Sequence, residues 1–300
     1  MQPDSNIKQY FQLHFIIFIW GFTAVLGALI SLEAVPLVWY RLSLTVPFIL
    51  LWLTYKKTPY KIDLKTFSKF TLLGLIIAIH WIAFFHAIKV SNVSVTLITL
   101  STGAFFTALM EPFFFRRRII IWEILSGLAI VSILYFIFRG DKFHLLGMLW
   151  GVLAAVTSSL FAVINGVFVK KHNADVMSLY EFGMGAVFVS IFLLISGGFS
   201  TEFFNLNMND WVYLFILAGI CTAYAGVVSI RLMKHISPFT IMLSINLEPV
   251  YGIILALIIF GDAERMTPIF YVGATLILMI VLINSYFKLK EIKRLKNLAS

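Results

Sequence analysis

Charge is scarce in this sequence: Asp, Glu, Lys and Arg make up only 12% of its 300 residues, against about a quarter in an ordinary soluble domain. That scarcity excludes a core hidden behind a charged, water-facing surface. Cysteine is almost missing. A single thiol, Cys221, rules out an intrachain disulfide and leaves the redox compartment open. The sequence has no Gly-x-x-x-x-Gly-Lys-Ser/Thr loop, so nucleotide hydrolysis by that route is excluded. It has no His-Glu-x-x-His pair or cysteine cluster either, so no metal and no cofactor is expected. Long polar stretches are also lacking; the longest connections, 56–66 and 197–210, are too short for a separate domain.

What fills the chain instead is apolar. Hydrophobic residues reach 61%, Phe alone supplies 30, and the mean hydropathy is +0.97. Ten apolar stretches follow one another, at 11–32, 36–55, 67–88, 92–115, 119–138, 146–169, 176–196, 211–232, 237–260 and 267–287. Each is close to the ~20 residues a helix needs to cross about 30 Å of hydrocarbon. Inside lipid every backbone N–H and C=O must be satisfied within the chain, so the stretches are predicted to be helices. The fold class expected is all-α integral membrane, with ten transmembrane helices. A cleaved leader is not expected, because the first apolar run is long and lacks a small-residue cleavage pattern.

The net charge of +9 does not point to nucleic acid, because the charges sort by side of the bilayer. With ten spans and the N-terminus inside, eighteen Lys and Arg residues fall in inner segments, including Lys56, Lys57, Arg116, Arg117, Arg118, Lys170 and Lys171. Only Lys89, Arg139, Lys142 and Arg265 fall outside, and Arg41 sits within a span. Cationic loops stay cytoplasmic, so both termini are expected inside a bacterial-type inner membrane. The basic tail 288–300 is expected to rest on anionic lipid, which makes membrane lipid the one partner besides a substrate.

The chain also reads as two halves, 11–138 and 146–287, after a cytoplasmic N-terminus 1–10 and joined by an outer linker 139–145. Sliding 91–133 onto 237–279, an offset of 146, matches Ser91 with Ser237, Leu97 with Leu243, Leu109 with Leu255, Phe114 with Phe260 and Gly127 with Gly273. It also sets Arg116 and Arg118 against Asp262 and Glu264. Five helices per half is an odd number, so the second half must lie upside down, and a loop that is inside in one half is outside in the other. Its charge should invert, as it does. An offset of 140 sets Tyr40 and Arg41 against Tyr180 and Glu181. Two inverted five-helix repeats around a central cavity are the expectation, an architecture of many secondary transporters with the substrate near mid-bilayer.

At the level of motifs the chain resembles the drug/metabolite transporter superfamily, specifically its EamA-type members. The resemblance covers nearly the whole sequence. It rests on Trp20 and Gly21 in the first helix, Arg41 in the second, and Ala87, Ile88 and Lys89 leading to Ser91, Asn92, Val93 and Ser94. Near the end, Leu247, Glu248 and Pro249 resemble the "L-x-P" segment, and the run from Phe260 to Arg265 the "G-E-R" segment. The first half departs from the pattern, with Gly103 where Pro249 would be matched. The resemblance implies a carrier, mostly an exporter, of amino acids and related metabolites; it implies no enzyme.

Ionisable groups within a span are costly and usually face a bundle interior or a water cavity. Arg41 and Glu181 are therefore candidates for the charged ends of a substrate, or else a structural pair. Glu248 stands mid-span beside Pro249, which frees a helix carbonyl, and is a candidate for an ammonium or a proton. His80, with Trp81 and Phe84 beside it, is expected on the cavity wall because the third helix of the family forms one. Trp20, Tyr224, Asn165, Asn246 and Thr102 complete the candidate cavity; each is also compatible with simple packing. Thr102 enters because the 146 offset pairs it with Glu248. Ala154, Ser158, Ala162 and Gly166 form a small-residue stripe expected to serve close helix packing. A small-molecule carrier, with proton coupling and oligomeric state open, is the reading. A sugar-phosphate or nucleotide-sugar exchanger, a lipid-group transferase and a non-transporting scaffold or receptor are the alternatives.

Overall fold

A computed structural model describes residues 3–116, 118, 121–137 and 145–299. Arg117 and the linker before Leu145 lie outside the described residues, and of the basic tail only the helical backbone is described. The elements are α1 (Pro3–Leu29), α2 (Ala34–Tyr55), α3 (Leu64–Val90), α4 (Val93–Leu100), α5 (Gly103–Phe115), α6 (Ile121–Ile137), α7 (Leu145–Phe168), α8 (Ala174–Ile195), α9 (Met208–Ala218), a π-helical segment (Gly219–Tyr224), α10 (Ala225–Leu232), α11 (Pro238–Ile245), α12 (Glu248–Phe260) and α13 (Pro268–Ala299). The protein is an all-α membrane protein. Among the described residues eight helical segments are long and apolar enough to cross a bilayer, namely Lys8–Leu29, Ala34–Tyr55, Leu64–Val90, Val93–Phe115, Leu145–Phe168, Ala174–Ile195, Met208–Leu232 and Pro238–Glu264. Two shorter apolar helical stretches, Ile124–Ile137 and Pro268–Ile280, fall where the fifth and tenth spans are expected.

Polar punctuation in the sequence sets where helices begin. Asp63, Asn92, Asn173, Asn207 and Ser237 each stand just before a helix with extended backbone, and each accepts from a backbone N–H of the first turn. These caps satisfy donors that lipid would leave unpaired. Helix ends are as regular. Lys57 and Gly197 both take positive φ, and the next residues, Thr58 and Gly198, reach back to the carbonyls of Leu53 and Leu193. That is the Schellman closure, and it occurs twice at an offset of 140, the same offset that separates the starts of α2 and α8.

A second correspondence joins α4 and α5 to α11 and α12. Here Val93–Leu100 and Gly103–Phe115 lie 145 positions before Pro238–Ile245 and Glu248–Phe260. The residues just past α5 and α12, Arg116 and Gly261, both have positive φ and bond back to Pro112 and Leu257. The observed register is therefore one residue shorter than the 146 suggested by residue identities. Between the paired helices the chain tightens in the same manner: Phe105 and Phe106 donate to Thr102 O, and Val250 and Tyr251 donate to Leu247 O. Pro249 interrupts only the second of these helices, yet both are broken; a proline is not needed for the break.

Packing crosses between the halves. α1 lies on α12, α10 and the π-helical segment, while α7 lies on α3, α4 and α5. Then α2 packs on α8, α5 on α11 and α6 on α13. Small residues allow the closest approaches. A Cβ on Gly74 would stand 2.7 Å from Glu181 O and 2.9 Å from Gly185 N, both rigid backbone atoms. A Cβ on Gly21 would stand 2.7 Å from Tyr251 Cβ.

Candidate functional site

A cavity of about 110 Å³ lies at the centre of the bundle, and residues from both halves line it. α1 contributes Trp20 and Thr23, α2 Arg41, α3 His80, Trp81 and Phe84, and α7 Ser158, Phe161 and Ala162. Phe182 on α8, Cys221 of the π-helical segment, Ser229 on α10 and Glu248 at the start of α12 close it. The wall is largely aromatic and aliphatic, with Arg41 and Glu248 bringing groups of opposite sign.

Arg41 is held from three directions. Its guanidinium lies 3.8 Å from the Trp81 ring centroid and 5.4 Å from that of Phe85, so aromatic faces replace part of its hydration. Its Nε donates to Thr222 Oγ1 at 2.7 Å. Nη1 is buried with no hydrogen-bond partner among the described residues. A planar fork anchored along one edge keeps donors for something else. Trp81 is itself braced, 5.4 Å from the ring of Phe182.

The π-helical segment explains why this corner is polar. Widening a helix by one residue per turn withdraws carbonyls from the regular ladder, and such segments gather at functional sites. Leu217 O accepts from Thr222 Oγ1, Ala218 O from Thr45 Oγ1, and Cys221 O from Trp20 Nε1 at 3.0 Å. Trp20 and Arg41 are thus both positioned by the same widened turn.

Opposite stands Glu248, the first residue of α12 and 5% exposed. The break at Asn246 and Leu247 turns this residue out of a continuous helix and puts its carboxyl at a helix N-terminus, where negative charge is favoured. No direct ion pair joins it to Arg41 among the described residues. His80 completes the polar set. Its Nδ1 lies 2.8 Å from Ala154 O; a carbonyl only accepts, so in the neutral ring Nδ1 carries the hydrogen and Nε2 is the acceptor. Among the described residues no three His, Cys, Asp or Glu side chains gather into a group able to hold a metal ion.

Residues 145–286 match the EamA-like transporter family. A protein of Clostridium kluyveri, named as an uncharacterized transporter, is 23% identical over an alignment covering 71% of this chain and 71% of that one. A protein of known crystal structure superposes with a TM-score of 0.68 at 12% identity, covering 92% of this chain and 96% of that one; at such identity it speaks for the fold alone. The second half of the chain is thus similar to EamA-like transporters, and most of its length to a protein named as a transporter. These likenesses and the apolar helices support a multi-pass membrane transporter.

Of the candidates read from the sequence, this transporter brings Trp20, Arg41, His80, Trp81, Phe84 and Glu248 together around the cavity. Five others lie elsewhere. Tyr224 is 45% exposed on the outer face of the bundle, edge-on to Phe15. The π-helical segment carries one extra residue, and an inserted residue rotates the rest of the helix by about 100°, so counting by an ideal helix misplaces it. Thr102 is buried and bonds Thr99 O; the register of 145 sets it opposite Leu247, and Gly103 is the counterpart of Glu248. Asn165 is buried and donates to Phe161 O. Glu181 is fully buried away from the cavity. Asn246 lines a separate cavity of about 280 Å³ between α4, α12 and α13.

Sequence reasoning also passed over wall residues. Ser158 and Ala162, read as a packing stripe, face the cavity, while Gly166 of the same stripe does pack closely, on Pro238. Thr23, Phe182, Cys221 and Ser229 carried no signal that separates them from their neighbours.

At one end of the bundle the two halves are tied across the cavity axis. Ser31 donates through N and Oγ to Asp210, and Glu264 accepts from the N–H groups of Val93 and Ser94 and from Ser94 Oγ. The other end has Tyr180 Oη on Tyr60 O, and Trp52 Nε1 and Arg231 on Asp175.

Proposed function

We propose that this transporter moves amino acids or related zwitterionic metabolites across a bacterial-type inner membrane, as an exporter working by alternating access. The observation that carries the proposal is the pairing of Arg41 and Glu248: opposite charges on one small aromatic-walled cavity, not joined to each other. A zwitterion supplies the missing partner to each. Its carboxylate meets the free Nη1 of Arg41, its ammonium meets Glu248, and its side chain lies against Trp20, Trp81 and Phe84. Charge-assisted bonds of this kind are the strong ones in a site shielded from water. Export, rather than uptake, rests on the family resemblance.

Ten spans in two inverted repeats of five helices, with both termini cytoplasmic, complete the reading. It is supported by the recurring helix bounds at offsets of 140 and 145, by the exchange-symmetric packing of α1 and α7, and by the asymmetry of the basic loops. In that orientation the Ser31–Asp210 and Glu264–Val93 ties close the outer end. A sugar-phosphate or nucleotide-sugar exchanger fits less well, because phosphate calls for several cations and Arg41 is the one Lys or Arg on the cavity wall among the described residues.

The test is uptake of labelled amino acids into proteoliposomes, and their counterflow when unlabelled amino acid is trapped inside. Flux of one class, competed by amino acids and not by sugar phosphates, is expected. A carrier that moves sugar phosphates and no amino acid would overturn the substrate assignment.

A further inference from the structure

Glu181 takes no part in the substrate binding proposed for Arg41 and Glu248, and it sits in an unusual place. It is 0% exposed, and neither carboxyl oxygen has a hydrogen-bond partner among the described residues. The polar group beside it is the side chain of Asn165 on α7, yet the two do not meet in hydrogen-bond geometry. Asn165 Nδ2 donates instead to Phe161 O, which leaves Asn165 Oδ1 without a partner too. Three acceptor oxygens are thus orphaned at one buried contact. A carboxylate only accepts and leaves Asn165 Oδ1 unserved. A carboxylic acid supplies the missing donor: its O–H goes to the amide oxygen, and its C=O is free to take the amide N–H. Burying the anion without a cation would in addition cost several kcal/mol.

Among the described residues no cation is at hand to keep the anion. α7 contains no titratable side chain. On α2, Tyr40 bonds Phe203 O and Arg41 faces the cavity; on α10, Arg231 is paired with Asp175. On α3, Lys69 lies over Phe168, His80 faces the cavity, His86 stacks on Trp150 and Lys89 bonds Ile30 O, while Lys65 is exposed. On α8 itself Asp175 holds Arg231 and Tyr180 holds Tyr60 O. What Glu181 does have is a mechanical link to the cavity. The next residue, Phe182, lines it and packs on Trp81, which holds Arg41. On the other side Gly74 lets α3 lie directly against the Glu181 backbone.

We infer that Glu181, beside Asn165 at the seam where α7 and α8 both pack on α3, is the proton-carrying group of this transporter, set apart from the substrate cavity. In the closed seam the carboxylic acid is retained. When the seam parts and water enters, the acid gives up H⁺ to the solvent on that side and becomes a carboxylate; closing again requires a proton from the solvent on the side then open. The inference rests on the carrier reading and assigns its coupling to Glu181 rather than to Glu248 or His80. Glu248 faces an arginine across the cavity, and His80 shares that cavity with the same cation.

The experiment compares wild type and Glu181→Gln in proteoliposomes with an equimolar mixture of labelled amino acids. Counterflow without a pH gradient is expected to survive in Glu181→Gln within about twofold, because glutamine can pair with Asn165 much as the neutral acid does. A gradient of one pH unit, imposed in each polarity, sustains about tenfold accumulation in a one-proton carrier; wild type is expected to reach it and Glu181→Gln to lose it. Glu181→Gln that still accumulates, or wild type that shows counterflow but ignores the gradient, overturns the inference. Infrared difference spectra between wild type and Glu181→Gln at neutral pH read the site without any substrate. A protonated-carboxyl C=O band absent from the variant, and shifted in Glu181→Asp, is expected. Its absence in wild type overturns the inference even if transport is never observed. Absence of counterflow in wild type with the band present overturns the substrate assignment instead.

Discussion

The two broken helices have the same backbone and opposite chemistry. Thr102 and Leu247 each close the break by accepting from the residues three and four ahead. The second segments, Gly103–Phe115 and Glu248–Phe260, are both 13 residues long, and each runs into a positive-φ residue. Yet at the first position after the break one segment has glycine and the other glutamate. The Gly103 break is sealed: its carbonyl takes Ser159 Oγ, and a Cβ there would meet Met242 at 2.8 Å. The Glu248 break opens on the cavity. The second helices of each half repeat the contrast, Arg41 facing the cavity and Glu181 buried behind it at the same depth of matched helices. Matching backbone therefore serves as a frame, and the cavity is charged where one of two matching segments keeps a charge on the cavity side and the other does not.

Four substitutions break or sharpen that contrast. Arg41→Ala is expected to act most strongly, because it removes the group proposed to meet the substrate carboxylate; truncating one partner of a buried charged contact costs about 2–5 kcal/mol, or about a hundredfold in apparent affinity for labelled amino acid. Glu248→Gln removes charge but keeps shape and polar atoms, and should weaken the same binding by about tenfold, the scale of one charged hydrogen bond. If Glu248→Gln binds as wild type, the break between α11 and α12 contributes no more to binding than that between α4 and α5. Glu264→Ala removes the acceptor of the first two N–H groups of α4, a capping loss of about 1–2 kcal/mol, visible as a lower melting temperature in detergent. Pro249→Ala is expected to do least, with uptake within about twofold of wild type, since Ala104 holds the matching place in a helix that breaks all the same. A large loss in Pro249→Ala would mean that the two breaks have different causes.

Much of this frame was legible in the sequence because the bilayer imposes it. The apolar runs locate the helices, and the offset of 140 between α2 and α8 can be read from Tyr40 and Tyr180. The site was legible where charge or a helix interruption betrayed it, at Arg41, His80 and Glu248. It was not legible where the backbone departs from a regular helix. Residue identities between the halves favour 146, while hydrogen bonding sets 145, and that one-residue slip placed Thr102 at the cavity. Nothing in Gly219–Tyr224 announces a π-helical turn, so Tyr224 was drawn inward and Cys221 overlooked. Asn165 and Glu181 look like cavity residues in sequence because polarity within a span is the signal; whether a polar group faces a void or a neighbouring helix depends on packing that the sequence does not spell out.

Cys221 makes this chain its own instrument. It is the single cysteine of the sequence, it is 2% exposed, and it forms part of the cavity wall beside the carbonyl that anchors Trp20. A thiol-directed fluorophore or maleimide has one address in the unmodified protein, without first engineering a cysteine-free background. The rate at which that thiol is alkylated reports how often the cavity admits a reagent, and comparing membrane-permeant with impermeant reagents from each face reports which side admitted it. Bound solute should shield it. Reaction progress at one sulfur can therefore score occupancy and sidedness for solutes that are never radiolabelled.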